Sequence, residues 1–331
     1  MRYLRLLLLL AITLSLLACE QNSSVTKENT DQSYSNAASS PDWYNSNSMD
    51  TLSVVTWNVE HFVDSHDNPY IENDTENNPP SDMEERRQLL AKAIQQLDAD
   101  IVVFQELESD SYLQTLAEER FPEIGYEAFG ALESADWYMN VVVMSRVPLG
   151  VFSSYANITT PIIGQTNDKG EQASQVLTNN RMWTTDVLVS DDYSFSLTGL
   201  HLKAGGGDRN QGWRMGQINL LREHFKSSVA NDSGKNMLVL GDLNTRPGSK
   251  EFKALQGESP PNFVDPLAGT DAFSHPSDSA YRRIDHILPN RNMEDELVPN
   301  STSIAQPLPK EQMIKISDHL PLKAKFVVDG K

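Results

Sequence analysis

The chain has 331 residues and carries 46 acidic against 27 basic side chains, a formal charge of −19. Hydrophobic residues make up 39%, ample for a large core and too many for a wholly disordered chain. Its acidity argues against a protein that coats nucleic acid by bulk electrostatics while leaving room for a local basic cleft, and a single cysteine, Cys19, excludes a disulfide framework or a cysteine-cluster zinc site.

Residues 1–18 read as an export signal: Arg2 and Arg5, an apolar run from Leu6 to Leu17, then Ala18 before Cys19. The run is shorter than the ~20 apolar residues of a membrane-spanning helix. Leu16-Leu17-Ala18-Cys19 resembles a bacterial lipobox, in which the cysteine is lipidated and becomes the mature N-terminus. Loss of Arg2 and Arg5 leaves 25 basic residues against 46 acidic ones, a charge of −21. Residues 19–50 are rich in Ser, Asn, Gln and Asp and poor in large apolar groups, the composition of a disordered tether. Glu20, where an inner-membrane retention signal would place Asp, resembles outer-membrane sorting. The expectation is an exported protein, lipid-anchored to the cell envelope at the outer membrane, with residues 51–331 as its folded domain.

Within that domain, strand-like runs occur at 52–57, 101–105, 140–145, 182–189, 193–202, 237–241, 284–288 and 323–328. A helix is predicted over Ser81–Leu97, with Ser81 and Glu84 at capping-box spacing and Leu90, Ala93, Ile94 and Leu97 on one face. A second is predicted from about Gly212 to Ser227. The strands are too many and too mixed for a simple doubly wound sheet, so two packed β-sheets with helices outside is the expected α/β layering.

Polar residues recur at the ends of these strands: Asn58, Glu106, His201, Asp242 with Asn244, Asp285, and the pair Asp318-His319. Any one is an ordinary turn residue. Six such places in one chain, rich in carboxylates that are costly to bury unless they bind something, point to a hard divalent cation with two histidines for acid or base work.

The segments Thr56-Trp57-Asn58-Val59-Glu60-His61-Phe62, Gln105-Glu106-Leu107-Glu108, Gly199-Leu200-His201-Leu202-Lys203, Gly241-Asp242-Leu243-Asn244-Thr245, Arg283-Ile284-Asp285-His286-Ile287 and Ser317-Asp318-His319-Leu320-Pro321-Leu322 resemble the ordered motifs of the endonuclease/exonuclease/phosphatase superfamily. The resemblance runs from about Leu52 to Val328 and implies a four-layer α/β sandwich: two packed mixed sheets flanked by helices. It also implies Glu106 as principal metal ligand with Asn58 beside it, and Asp318 as a further ligand, directly or through water. Asp242 and Asn244 would position the water and the scissile phosphate. His319, oriented by Asp285, would be general base or phosphate contact, and His201 would protonate the leaving oxygen or hold a phosphate oxygen. Magnesium is the implied cofactor, with manganese and calcium as alternatives. In secreted deoxyribonucleases a carboxylate partners the histidine matching His201; here Asp136 and Asn140 are the candidates.

Arg181 is the best candidate for a phosphate-binding cation. Lys203, Arg209, Arg214, Arg246, Lys250, Arg282 and Arg283 also lie close to the motifs in sequence. The acidic stretch 64–82 reads as a solvated rim loop, its spacing unlike an EF-hand. His61, His66, His224, His275 and His286 carry no strong functional claim, and Trp137, Trp183 and Trp213 read as core or rim packing. The sequence thus predicts a monomeric metal-dependent phosphodiester hydrolase, foremost a nuclease. A phosphatase or phosphodiesterase for small or lipid-derived substrates is the first alternative, and a non-catalytic binding module the second.

Overall fold

The computed structural model describes residues 41–45 and 49–328. The signal segment, Cys19 and most of the predicted tether lie outside them. No helix among the described residues is long and apolar enough to cross a membrane. Tyr44 and Met49 pack against the core, and the Tyr44 hydroxyl donates to the Val189 carbonyl at 2.7 Å. The folded body therefore includes part of the segment read as tether.

The architecture is an α/β sandwich, as the motifs implied. One mixed sheet runs in the order β12-β13-β1-β2-β4-β3. Its strands are β1 (Thr51–Phe62), β2 (Ile101–Leu107), β3 (Ala128–Ala131), β4 (Asn140–Ser145), β12 (Ser303–Ile304) and β13 (Leu322–Val327). The other has the order β11-β10-β9-β8-β5, from β5 (Ser153–Ser154), β8 (Met182–Leu188), β9 (Ser194–His201), β10 (Met237–Asp242) and β11 (Asp285–Pro289). β6 (Thr160–Thr166) and β7 (Gln172–Gln175) form a separate hairpin.

Alternation along the strands builds the layers. Val54, Ile101, Val103, Leu238 and Leu240 enter one core cluster between the sheets. Val55, Val102 and Phe104 face the opposite way, against Leu90 and Ile94 of the helix Met83–Leu97 and Met313 and Ile316 of Lys310–Ile316. Val239 packs with Ile218, Leu221 and Phe225 of Gly207–Asn231 and Phe252 and Leu255 of Lys250–Gln256. Strands buried on both faces read as near-continuous apolar runs, and so the sequence located them well.

The helix predicted from Ser81 begins at Met83; its N-cap is Asp82, with no side-chain capping bond, so the capping box does not form. The helix predicted from Gly212 runs from Gly207 to Asn231 with Gly206 as N-cap, its glycine-rich start hidden by low helix propensity.

Candidate active site

Two parallel pairs, β1 with β2 and β9 with β10, send their carboxyl ends to the edge where the polar residues gather. In register, Asp242 faces His201 on one side and Asp285 on the other. The preceding Gly241 has φ +136°, and a Cβ there would stand 1.9 Å from the Leu200 carbonyl oxygen, so only glycine brings β10 this close to β9. On β1 and β2 the pairing shifts after Asn58 and after Gln105. Glu60, His61, Glu106 and Asn244 all have left-handed backbone, with φ of 49°, 50°, 59° and 49°. Such conformations cost of order 1–3 kcal/mol each, and here they re-aim side chains out of the pleat toward one centre.

Asn58 links the two sheets: its amide nitrogen donates to Glu106 Oε1 at 3.1 Å and to Asp242 Oδ2 at 3.2 Å. Its carboxamide oxygen accepts from the Glu60 backbone, so it presents N–H rather than oxygen to the carboxylates. His201 Nε2 lies 3.7 Å from both Glu106 Oε1 and Asp242 Oδ2. His319 Nε2 lies 3.9 Å from the same Asp242 oxygen and 3.7 Å from Asp318. Behind it, His319 Nδ1 meets Asp285 at 2.8 and 3.0 Å, and Ser274 Oγ donates to Asp285 at 2.6 Å. Asn244 donates its backbone N–H to Asp242 Oδ1 at 2.8 Å and its side-chain amide to the Leu202 carbonyl at 3.1 Å.

The electrostatics separate the two histidines. Burial works against charge on His319, but Asp285 foremost, then Asp242 and Asp318, push it up to about 10, so it is an imidazolium at neutral pH. His201 is fully buried, and burial outweighs the pull of Glu106, lowering it to about 4. It is neutral, and neither ring nitrogen has a hydrogen-bond partner. Burial and then Asp285 raise Asp242 to about 7. For Asp285, burial is outweighed by His319, and its carboxyl stays below the usual range. Glu106 is likewise held low, the pull of burial being outweighed with the help of the hydrogen bond from the Asn58 amide.

These positions answer several questions the sequence left open. Neither candidate partner of His201 reaches it: Asn140 bonds the Glu108 carbonyl and the Ser134 backbone, and Asp136 accepts from Ser134 Oγ. Arg214 is locked to Glu251 and the Lys203 and Gly205 carbonyls, and Arg283 to Asp265 and the Leu267 carbonyl. These two arginines build the scaffold and leave the cleft cations. Arg181 lies over the Trp137 ring at 5.5 Å with its Nε unpartnered, near enough for the Glu106 charge to oppose the burial that lowers it. The 64–82 loop is mostly exposed, but Glu76 is buried and accepts from the Asn68 backbone.

Sequence reasoning passed over His61 and His275. The His61 backbone N–H donates to Glu106 Oε2 at 3.2 Å, and its ring bonds the Tyr138 hydroxyl. His275 packs edge-on against His319, centroids 4.6 Å apart, and bonds Asp318 Oδ2 at 3.1 Å. Their signal is weak in sequence because each lies in a backbone irregularity or loop, away from any strand end the periodicity marks.

Carboxylates dominate the donor set, which suits a hard divalent cation, and Asp242 is repelled by a neighbouring carboxylate. His275, Asp318 and His319 can bring one ligand atom each within 4.8 Å, as can Asp242, Asp285 and His319.

The family model for endonucleases, exonucleases and phosphatases matches residues 55–319. The chain belongs to this family. No curated protein matches it in sequence. Among solved structures, zebrafish (D. rerio) TDP2 complexed with a single-strand DNA product is similar over 83% of this chain and 98% of its own, at 16% identity and TM-score 0.55. The human nocturnin catalytic domain with bound sulfate is similar over 84% and 95%, at 18% identity and TM-score 0.56. Beta toxin of Staphylococcus aureus is similar over 82% and 99%, at 16% identity and TM-score 0.54. At these identities the likeness concerns the fold.

Proposed function

We propose that the protein is an exported, lipid-anchored, divalent-metal-dependent phosphodiesterase, a nuclease acting on nucleic acid at the cell envelope as a monomer. One observation carries the hydrolytic reading: two histidine Nε2 atoms converge on Asp242 Oδ2, at 3.7 and 3.9 Å, one ring neutral and the other charged. A pure binding module has no need of that division. The zebrafish TDP2 structure, with its DNA product, supports the nucleic-acid reading.

In this mechanism Asp242, ionising near neutrality, takes the proton of the attacking water, which Asn244 helps to position. His319, its Nδ1–H held by Asp285, directs Nε2–H to a phosphate oxygen; it serves as phosphate contact, since a ring charged at neutral pH is no base. Arg181 offers an unpartnered N–H to the same charge. His201, neutral beside Glu106 and Asp242, donates a ring N–H to the leaving oxygen, which takes its proton from solvent while Asp242 returns its own to solvent. Glu106, with Asp318 and with Asn58 once its carboxamide is turned, would hold the ion, magnesium by donor type and manganese or calcium as alternatives. Bound there, the ion supplies neutralisation of the phosphate charge.

A substrate panel tests this reading. With magnesium, the purified protein is expected to cleave DNA or RNA and bis-p-nitrophenyl phosphate, and to lose both activities in chelator. Cleavage of monoesters or lipid-derived diesters alone would replace nuclease with small-substrate phosphoesterase, and no hydrolysis of any substrate would leave a binding module.

The anchor rests on the Leu16–Cys19 segment. Cys19→Ser is expected to abolish labelled-palmitate incorporation and move the protein from the membrane to the soluble fraction. Labelling that persists would remove the lipid anchor from the proposal.

A further inference from the structure

Arginines in so acidic a chain find carboxylates easily. Arg87, Arg120, Arg146, Arg214, Arg283 and Arg291 form ion pairs. Arg86 and Arg222 are spent on backbone carbonyls. Among the described residues, the four left with neither kind of partner are Arg181, Arg209, Arg246 and Arg282, and each lies over an aromatic ring.

Two of the four share one ring. The guanidinium carbons of Arg246 and Arg282 stand 5.8 and 5.6 Å from the centroid of Tyr281, and that ring is 58% exposed. Its position ties it to the reacting centre from both sides. Arg246 follows Asn244 by two residues. Arg282 Nε donates to His275 Nδ1 at 3.0 Å, so His275 carries its proton on Nε2, toward Asp318. Residues 274–283 fold back on themselves, with His275 bridged to Arg282, and the Ser277 backbone donates to the Asp318 carbonyl at 2.7 Å. Tyr281 therefore sits on a short, pinned loop rather than a loose one.

A ring 58% exposed, with Arg246 free of side-chain hydrogen bonds and Arg282 fixed beside it through His275, offers aromatic surface and positive charge in one place. That is the chemistry that takes a nucleobase by stacking and its flanking phosphate by charge-assisted hydrogen bonds. Bases inside a duplex keep both faces stacked and reach such a ring only at an unstacking cost of a few kcal/mol. We infer that Tyr281, with Arg246 and Arg282, is a stacking subsite for an unpaired base beside the scissile phosphate, and that it selects single-stranded over duplex substrate. The inference rests on the phosphodiesterase reading and gives it a substrate class.

Binding of a short fluorescent oligothymidylate, measured by anisotropy in chelator so that nothing is cut, tests it. Tyr281→Ala is expected to raise Kd by about 5- to 150-fold, the range found for loss of one stacked base. Tyr281→Phe, which keeps the ring, is expected to bind like wild type, and an abasic strand of equal length is expected to show no difference between wild type and Tyr281→Ala. A duplex of the same sequence is expected to bind more weakly than the single strand. Unchanged oligothymidylate binding by Tyr281→Ala, equal loss on the abasic strand, or tighter duplex binding would each overturn the subsite. Hydrolysis of bis-p-nitrophenyl phosphate by the wild type is followed in parallel. Hydrolysis without Tyr281-dependent binding defeats this inference alone, and Tyr281-dependent binding without hydrolysis of any diester defeats the phosphodiesterase reading alone.

Discussion

Glu106→Gln is expected to leave the fold intact and to lower kcat/KM on nucleic acid and on bis-p-nitrophenyl phosphate by a thousandfold or more. The carboxylate is held below its ordinary range despite burial, with the Asn58 amide donating to it at 3.1 Å, and it is the one anionic group β2 delivers to the centre. Gln keeps the shape and removes the charge. Removing a single oriented electrostatic contact of this kind costs on the order of 10²–10³ in rate, and loss of the principal ion ligand adds to it. The same variant is expected to lose the rise in melting temperature that wild type shows with added magnesium, because a ligand bound only by the native state stabilises it by mass action. Wild-type turnover by Glu106→Gln, or by protein in chelator, would rule out the metal site.

His319→Ala is expected to lower activity by about 10²- to 10⁴-fold, the usual cost of a group that handles or holds a proton at the reacting centre. The pH profile says more. Asp242 must be ionised, so activity falls as pH drops through about 7. His319 must be charged, so activity falls as pH rises through about 10. Its folded value lies above the ~6.5 of a free imidazole, so the stability it confers is complete below that pH and is lost as pH rises through about 10. Asp285→Asn removes the largest force holding the proton and is expected to bring the alkaline limb down toward neutrality. Profiles of kcat/KM between about pH 5 and 11 decide the matter. A wild-type rate still rising beyond pH 10, or an alkaline limb unmoved in Asp285→Asn, would contradict these roles.

Much of this was legible in sequence because both sheets are covered on both faces. Strands such as Ile101–Leu107 and Met237–Asp242 then read as apolar runs that stop at a carboxylate, and these stops come together in the candidate site. What stayed hidden depends on distance or on irregular backbone. The β6–β7 hairpin contains Pro161 and Gly164, which break the pattern of a strand. The helices Asp110–Arg120 and Lys250–Gln256 are short, with Ser109 and Ser249 caps their main local signal. His275 acquires meaning only from Asp318, 43 residues on, and Tyr281 only from arginines on both sides of the loop. Arg214 and Arg283 look like cleft cations in one dimension and are structural in three because Glu251 and Asp265 claim them.

The two ends of the domain are neighbours. β1 pairs with β13, Ser317 Oγ donates to the Asn58 carbonyl at 2.7 Å across 259 residues, and Trp57 Nε1 donates to the His319 carbonyl at 2.9 Å. A chain that emerges N-terminus first therefore holds Asn58 and Glu106 early and cannot bring them beside Asp318 and His319 until residue 319 is free. Contacts this far apart also form late, because loop-closure entropy must be overcome first. The candidate site is thus withheld from a nascent or stalled fragment: a truncation before Ser317 removes Asp318, His319 and β13 while Asn58, Glu106, His201, Asp242 and Asp285 have all been made.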